Sequence, residues 1–154
     1  MGIKLVSSGG GSITLNPPNI GTDVVVEVPS SDIVTVTSSQ TLTNKTITGS
    51  KETRVAGGTG GSYTVDLAAG NYFSRTFNAT ATISVSNIPT SGTAQAFIFD
   101  ITNAGAYTIT WMTGIKWAGG VAPTLTTSGR DVLGFFTYDG GTTWTGILLG
   151  RDVK

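Results

Sequence analysis

The chain has 154 residues, of which nine are basic and nine acidic, so its formal net charge is zero and charged residues make up only 12%. Because no basic cluster is present, we expect neither a nucleic-acid partner nor membrane insertion. The absence of cysteine and histidine excludes disulfides, thiolate chemistry and every site that depends on an imidazole. Twenty-two glycines among many Thr and Ser residues predict short strands joined by turns.

The first 61 residues predict an extended arm or stem with few apolar side chains. Four short runs rich in β-branched residues are strand candidates: residues 3–6, 12–15, 23–28 and 33–36. In the segment 39–48 only Leu42 and Ile47 are apolar, which is too little for one chain to bury. Three parallel copies around an axis would bury both side chains. We therefore predict that Leu42 and Ile47 face a threefold axis in a trimeric stem.

Residues 55–61 have the sequence VAGGTGG, whose composition predicts a flexible hinge. This hinge divides the chain into residues 1–61, an arm for attachment and trimerisation, and residues 62–154, a C-terminal domain. All three Trp, all six Phe and all four Tyr residues lie after residue 61. The second part therefore contains most of the material for a hydrophobic core.

The C-terminal part predicts an all-β domain. Its strand candidates are residues 62–67, 72–77, 81–86, 94–102, 107–111, 124–126, 131–138 and 143–149. The Asp139-Gly140-Gly141 sequence between the last two is a hairpin signal, because glycine tolerates positive φ angles. This many short strands in about ninety residues predict a β-sandwich or jelly-roll knob.

Two stretches carry a resemblance to known proteins. One is SQTLTNKTIT at residues 39–48, preceded by VSSGGGSITL at residues 6–15. The other begins at YTITW (residues 107–111), continues through KWAGGVAPTL (residues 116–125) and includes YDGGTTW at residues 138–144. Both resemble bacteriophage tail-fibre and virion appendage proteins. The resemblance implies a homotrimer with an N-terminal stem and a C-terminal globular head.

The function implied by this resemblance is structural. We expect a homotrimeric short fibre or tail or head appendage, made in the host bacterial cytoplasm and located in the virion. Its partners would be other virion proteins, namely capsid, tail or fibre-attachment subunits, and its head could contact host surface polysaccharide. Two alternatives remain open: a trimeric decoration protein that stabilises the capsid, and a carbohydrate-binding module.

No residue pattern indicates an enzyme, a cofactor or a metal site. Four aspartates are formal candidates for a glycosidase carboxylate pair: Asp66, Asp100, Asp131 and Asp139. We favour a structural interpretation of each, such as a turn for Asp139 and an ion pair of Asp100 with Arg75 or Arg130. The sequence therefore predicts no catalytic residue.

The candidate host-contact residues lie in two C-terminal segments. Lys116 and Trp117 belong to KWAGG, which we interpret as a loop, and Asp139 begins the glycine turn. An aromatic ring or a charge beside flexible glycines suits weak binding to sugars. For Trp111 and Trp144 we expect packing in the core or between subunits, since large aromatic side chains dominate both.

Overall fold

A computed structural model of the chain describes residues 3–6, 12–15, 44, 46 and 48–154. The chain divides into two compact units, Met1–Thr46 and Ile47–Lys154. In the first unit, β1 (Ile3–Val6) and β2 (Ser12–Leu15) pair antiparallel, which confirms both strand predictions. The strand candidates at residues 23–28 and 33–36 lie outside the described residues, as do Leu42 and Ile47.

The regular structure of the second unit is almost entirely β-strand, which confirms the all-β prediction. The strands are β3 (Val55–Gly60), β4 (Tyr63–Asp66), β5 (Tyr72–Phe77), β6 (Ala81–Ser86), β7 (Gln95–Thr102), β8 (Ile109–Thr110), β9 (Ile115–Trp117), β10 (Arg130–Thr137) and β11 (Trp144–Gly150). Two single-turn 3-10 helices, Ala104–Ala106 and Ala118–Gly120, complete the regular structure of residues 48–154.

The first six of these strands form three coils. β3, β5 and β7 are parallel neighbours in one sheet, and β4, β6 and β8 are parallel neighbours in a second sheet. Because the chain alternates between the sheets, each pair β3–β4, β5–β6 and β7–β8 makes one turn of a flattened solenoid. β10, β11 and β9 then extend the first sheet to six strands, in the order β3-β5-β7-β10-β11-β9.

The prediction of a jelly roll is wrong for the coiled strands, because jelly rolls pair their strands antiparallel. Alternation of apolar and polar residues along a strand indicates which side chains are buried, but it does not indicate which strand is the hydrogen-bonded neighbour. A coil and a hairpin therefore look alike in sequence. The predicted hairpin is confirmed where β10 and β11 pair antiparallel across Gly140 and Gly141, at φ 72° and 78°.

The prediction of a hinge at residues 55–61 is also wrong, because β3 occupies this segment and pairs with β5. A Cβ on Gly57 would lie 2.7 Å from the Ser74 carbonyl oxygen and 2.7 Å from the Tyr63 ring. Glycine here reflects close packing and not flexibility. The boundary between the two parts of the chain therefore falls near residues 46–47 and not at residues 61–62.

Most of the other strand predictions in this unit are confirmed within two residues, and those for β5 and β6 have the observed bounds. The predicted strand at residues 107–111 is reduced to the two residues Ile109–Thr110. The strand predicted at residues 124–126 is wrong, because that segment is irregular, and β9 was not predicted.

Aromatic side chains hold the two sheets together. Tyr63 from β4 stacks on Phe99 from β7 with ring centroids 5.8 Å apart. Phe97, two residues earlier on β7, stacks on Phe135 at 5.0 Å and meets Trp144 edge-on at 5.6 Å. One core therefore serves both the coils and the antiparallel extension.

We predict that truncation distinguishes the two possible boundaries. A chain starting at Ile47 should retain the fold of this unit, whereas a chain starting at Ser62 lacks β3 and uncovers the edge of β5. Losing this strand's hydrogen bonds should cost about 2–4 kcal/mol, or roughly 10 °C in Tm for a domain of this size. Thermal unfolding followed by circular dichroism measures the difference. Equal Tm values would contradict the placement of β3 in the folded unit.

Candidate functional site

The six-stranded sheet has one face on the core and the other toward solvent. Along β7, Phe97, Phe99 and Ile101 are buried, whereas Ala96 and Ile98 point the other way. Because residues paired across a sheet point to the same side, the strand register places the outward side chains in transverse rows. These rows determine the chemistry of the exposed face.

Two neighbouring rows are mainly apolar. One row contains Tyr72, Ile98, Gly134 and Ile147, and the other contains Ala96, Phe136 and Thr145. Leu149 lies beside Gly134, since a Cβ on that glycine would be 3.2 Å from Leu149 Cδ1. We define the apolar outer face as Tyr72, Ala96, Ile98, Gly134, Phe136, Ile147 and Leu149.

The apolar outer face contains an open groove of ≈ 500 Å³. The missing side chain at Gly134 forms part of its floor, while Phe136, Ile147 and Leu149 line it. Phe136 is 42% exposed, Ile147 37% and Leu149 53%. Three large and exposed apolar side chains are thus adjacent on one outward surface.

The adjoining rows of the same face are polar and contain an ion pair. Arg130 donates from Nε and Nη2 to the two Asp100 carboxylate oxygens, each at 2.8 Å. Of the two predicted ion pairs of Asp100, the one with Arg130 is therefore confirmed. The Tyr72 hydroxyl also donates to Asp100, at 2.8 Å. Partial burial raises the pKa of Asp100, but the hydrogen bonds from Arg130 and Tyr72 outweigh it and lower the pKa overall. The carboxylate is therefore kept ionised and neutralised within the face.

Lys116 and Trp117, predicted to share a loop, instead lie on β9, so that prediction is wrong. Lys116 pairs with Thr145 and therefore extends the row of Phe136 to the edge of the outer face. Trp117 points the other way and packs on Trp111 at 5.2 Å and Phe135 at 5.7 Å. Host contact by either residue stays a prediction, but their side chains serve opposite sides of the sheet.

The other two tryptophans pack as predicted. Trp144 is 1% exposed in the core, and Trp111 lies against Phe135 with ring centroids 5.5 Å apart. Trp111 and Trp144 therefore belong to the packed interior of this domain.

The remaining candidate aspartates stabilise turns. Asp131 is fully buried and accepts hydrogen bonds from the Thr126 N–H at 2.6 Å and the Thr126 hydroxyl at 2.7 Å. Asp139 accepts from the Thr143 N–H at 2.9 Å, and this bond is the main reason that its pKa is lowered. Asp66 accepts from the Ala68 N–H at 3.0 Å. The structural interpretation accounts for all of these contacts.

A second concave surface lies beside β6. Because β8 pairs with β6 only at Ala81 and Thr82, a cleft of ≈ 350 Å³ opens along the rest of that strand. Trp111 and the side chains of Thr82, Ser84 and Thr110 are among its lining residues, none of which is charged. The cleft thus combines an indole ring with several hydroxyl groups.

Within the described ranges, no helix is long and apolar enough to cross a membrane. The same residues contain no group of three or more His, Cys, Asp or Glu side chains arranged to hold a metal ion. Comparison with known proteins found no matching family model, no similar curated protein and no similar solved structure.

The apolar outer face was not identified from the sequence, although a signal for it was present. Residues 133–136 read Leu-Gly-Phe-Phe and residues 147–149 read Ile-Leu-Leu, so neither strand alternates cleanly. Strands that are buried on both faces typically read as near-continuous apolar runs. This signal predicts that the exposed side of β10 and β11 has a partner.

We predict that Asp100→Asn lowers the free energy of unfolding by about 1 kcal/mol at pH 7, because a charge-assisted pair is lost. The partial exposure of Arg130 keeps this value small. A carboxyl group whose pKa is lower in the folded state than in the unfolded state stabilises the fold at pH values above its unfolded-state pKa. This contribution is lost as the pH falls through the folded-state pKa. The difference between wild type and variant should therefore shrink as pH falls below the ordinary carboxyl pKa of about 4.

Urea unfolding at several pH values measures this difference. Asp152→Asn is the matched control, because Asp152 pairs with Lys154 at 3.0 Å where the Lys154 side chain is 83% exposed. It should change stability by less than about 0.5 kcal/mol. Equal effects of the two substitutions at every pH would contradict the role given to Asp100.

Proposed function

We propose that this chain is a structural subunit of a bacteriophage particle, a homotrimeric short fibre or tail or head appendage that functions by assembly. In this proposal the two packed sheets form a globular head, and the residues before Thr46 belong to the stem that attaches it. The partners are other virion proteins.

One observation carries the proposal: the exposed apolar outer face. Soluble monomers rarely expose contiguous apolar patches larger than a few hundred Å², and larger ones mark interaction surfaces. Here Phe136, Ile147 and Leu149 lie side by side on one side of the sheet, and each is at least 37% exposed. A protein with such a face is suited to packing against another protein.

The buried polar groups are consistent with a structural role. Asp131 binds backbone and hydroxyl donors, and Asp100 is neutralised by Arg130. The charged groups in these contacts stabilise turns and strands. The resemblance to fibre and appendage proteins supplies the phage context.

We predict that the protein is found on purified phage particles. Electron microscopy of particles with a labelled C-terminus distinguishes the two virion readings: labels on the tail or on projections indicate a fibre or appendage, and labels over the shell indicate a capsid decoration protein. An equally labelled virion protein of known position serves as the control. Particles that lack the chain would contradict a virion role.

Binding of neutral saccharide is a second candidate function, which the cleft beside β6 favours. An indole face stacks on the apolar side of a sugar ring, while hydroxyl groups such as those of Ser84 and Thr110 can bond its hydroxyls. Because no charged side chain lines the cleft, the saccharide would be uncharged. This function is compatible with a fibre head that contacts the host surface.

We predict that Trp111→Leu reduces binding of the protein to host cells or to their neutral surface polysaccharide by roughly tenfold or more, as expected when a stacking aromatic is removed. Tyr138→Leu is the control, because Tyr138 is an aromatic residue that is 65% exposed and does not line the cleft. If only Tyr138→Leu reduces binding, the contact lies at the Asp139 turn instead. If the wild type binds neither ligand, the saccharide function is wrong.

A further inference from the structure

We infer that the partner of the apolar outer face is a second copy of this chain, with the faces turned toward a common axis and opposite sheet edges of neighbouring copies side by side. The number of copies, three, rests on the proposed function. The pairing of the edges rests on the structure alone.

The first argument is the distribution of charge across the face. The apolar rows carry no charged side chain between the sheet edges, and the one carboxylate of the adjoining rows, Asp100, is bound by Arg130. Copies that converge on an axis bring identical residues together, so an unpaired charge there would be repeated and repelled. The apolar rows avoid that repulsion, whereas the polar rows carry a second cation, Arg54, which donates to the Ser74 hydroxyl at 2.8 Å.

The second argument is the charge at the two edges. Lys116 lies on β9, the strand at one edge of the sheet. Glu52 lines the groove near the opposite edge, where its carboxylate accepts a hydrogen bond from Asn71, the residue before β5. In a cyclic assembly each subunit presents one edge to the opposite edge of its neighbour. Lys116 of one copy would then approach Glu52 of the next. Arg54 also lies near this edge, but it donates a hydrogen bond to the Ser74 hydroxyl at 2.8 Å, in the row of Asp100 and not in the row of Lys116.

The third argument is the shape of the apolar outer face. Gly134 leaves a depression between Ile98 and Ile147, and Phe136 and Leu149 rise beside it. A surface that holds both a depression and projecting side chains can interdigitate with a copy of itself. Such packing buries the Phe136 ring, and aromatic side chains are enriched at protein interfaces.

Sedimentation of the full-length protein at micromolar concentration tests the inference. The wild type should have three times the 15.8 kDa chain mass. Phe136→Asp should raise the concentration at which the assembly dissociates by roughly a hundredfold, since it puts charges at the centre of an apolar interface. Thr64→Asp is the control, because Thr64 is an exposed residue of β4 in the second sheet, away from the apolar outer face. It should leave the assembly intact.

A second pair of variants tests the edges without touching the apolar residues. Lys116→Glu and Glu52→Lys should each weaken the assembly several-fold, and the double variant should restore it. Circular dichroism must show native signal for every variant. If Phe136→Asp unfolds, Leu149→Asp replaces it, since Leu149 is more exposed at 53%.

Each result decides between outcomes. A wild-type trimer that persists in Phe136→Asp or Leu149→Asp would overturn the inference and leave the virion role standing. A monomeric wild type that still labels phage particles would assign the face to another virion protein. A monomeric wild type whose truncation at Ile47 causes association would assign the face to the chain's own N-terminal residues. A monomer that is absent from particles would overturn both proposals.

Discussion

The burial of Phe97 and Phe99 on β7 is the interaction on which the rest of the structure depends. Phe99 meets Tyr63 of the first coil and Phe77 of the second, whereas Phe97 meets Phe135 and Trp144 of the antiparallel extension. β7 is also the strand at which parallel pairing changes to antiparallel pairing. These two rings therefore lie where the coils and the extension share one core.

The orientation of β7 also determines which side chains of the sheet point toward solvent. With Phe97 and Phe99 buried, Ile98 must point outward, and the register adds Gly134 and Ile147 to its row. The register thus fixes which side chains form the apolar outer face. Water solvates such a surface poorly, which is the physical basis of the proposed assembly.

The fold also shows that glycine has two different roles in this chain. Gly57 allows β3 to approach β5 and the Tyr63 ring, so a segment with the composition of a linker is part of a sheet. Gly134 lies in the middle of β10 and opens a groove between larger side chains. Composition alone cannot separate these roles from flexibility, because each depends on atoms that are distant in sequence.

The sequence by itself determined the all-β class, the bounds of β5 and β6 and the hairpin at Gly140-Gly141, because alternation and turn preference are local properties of the chain. It also predicted that Trp144 would pack. Only the tertiary structure decided that the first six strands of the second unit coil in parallel, that Trp117 points inward and that Lys116 shares a face with Phe136. These features depend on which strands are neighbours, and neighbours are selected by packing between residues far apart in the sequence.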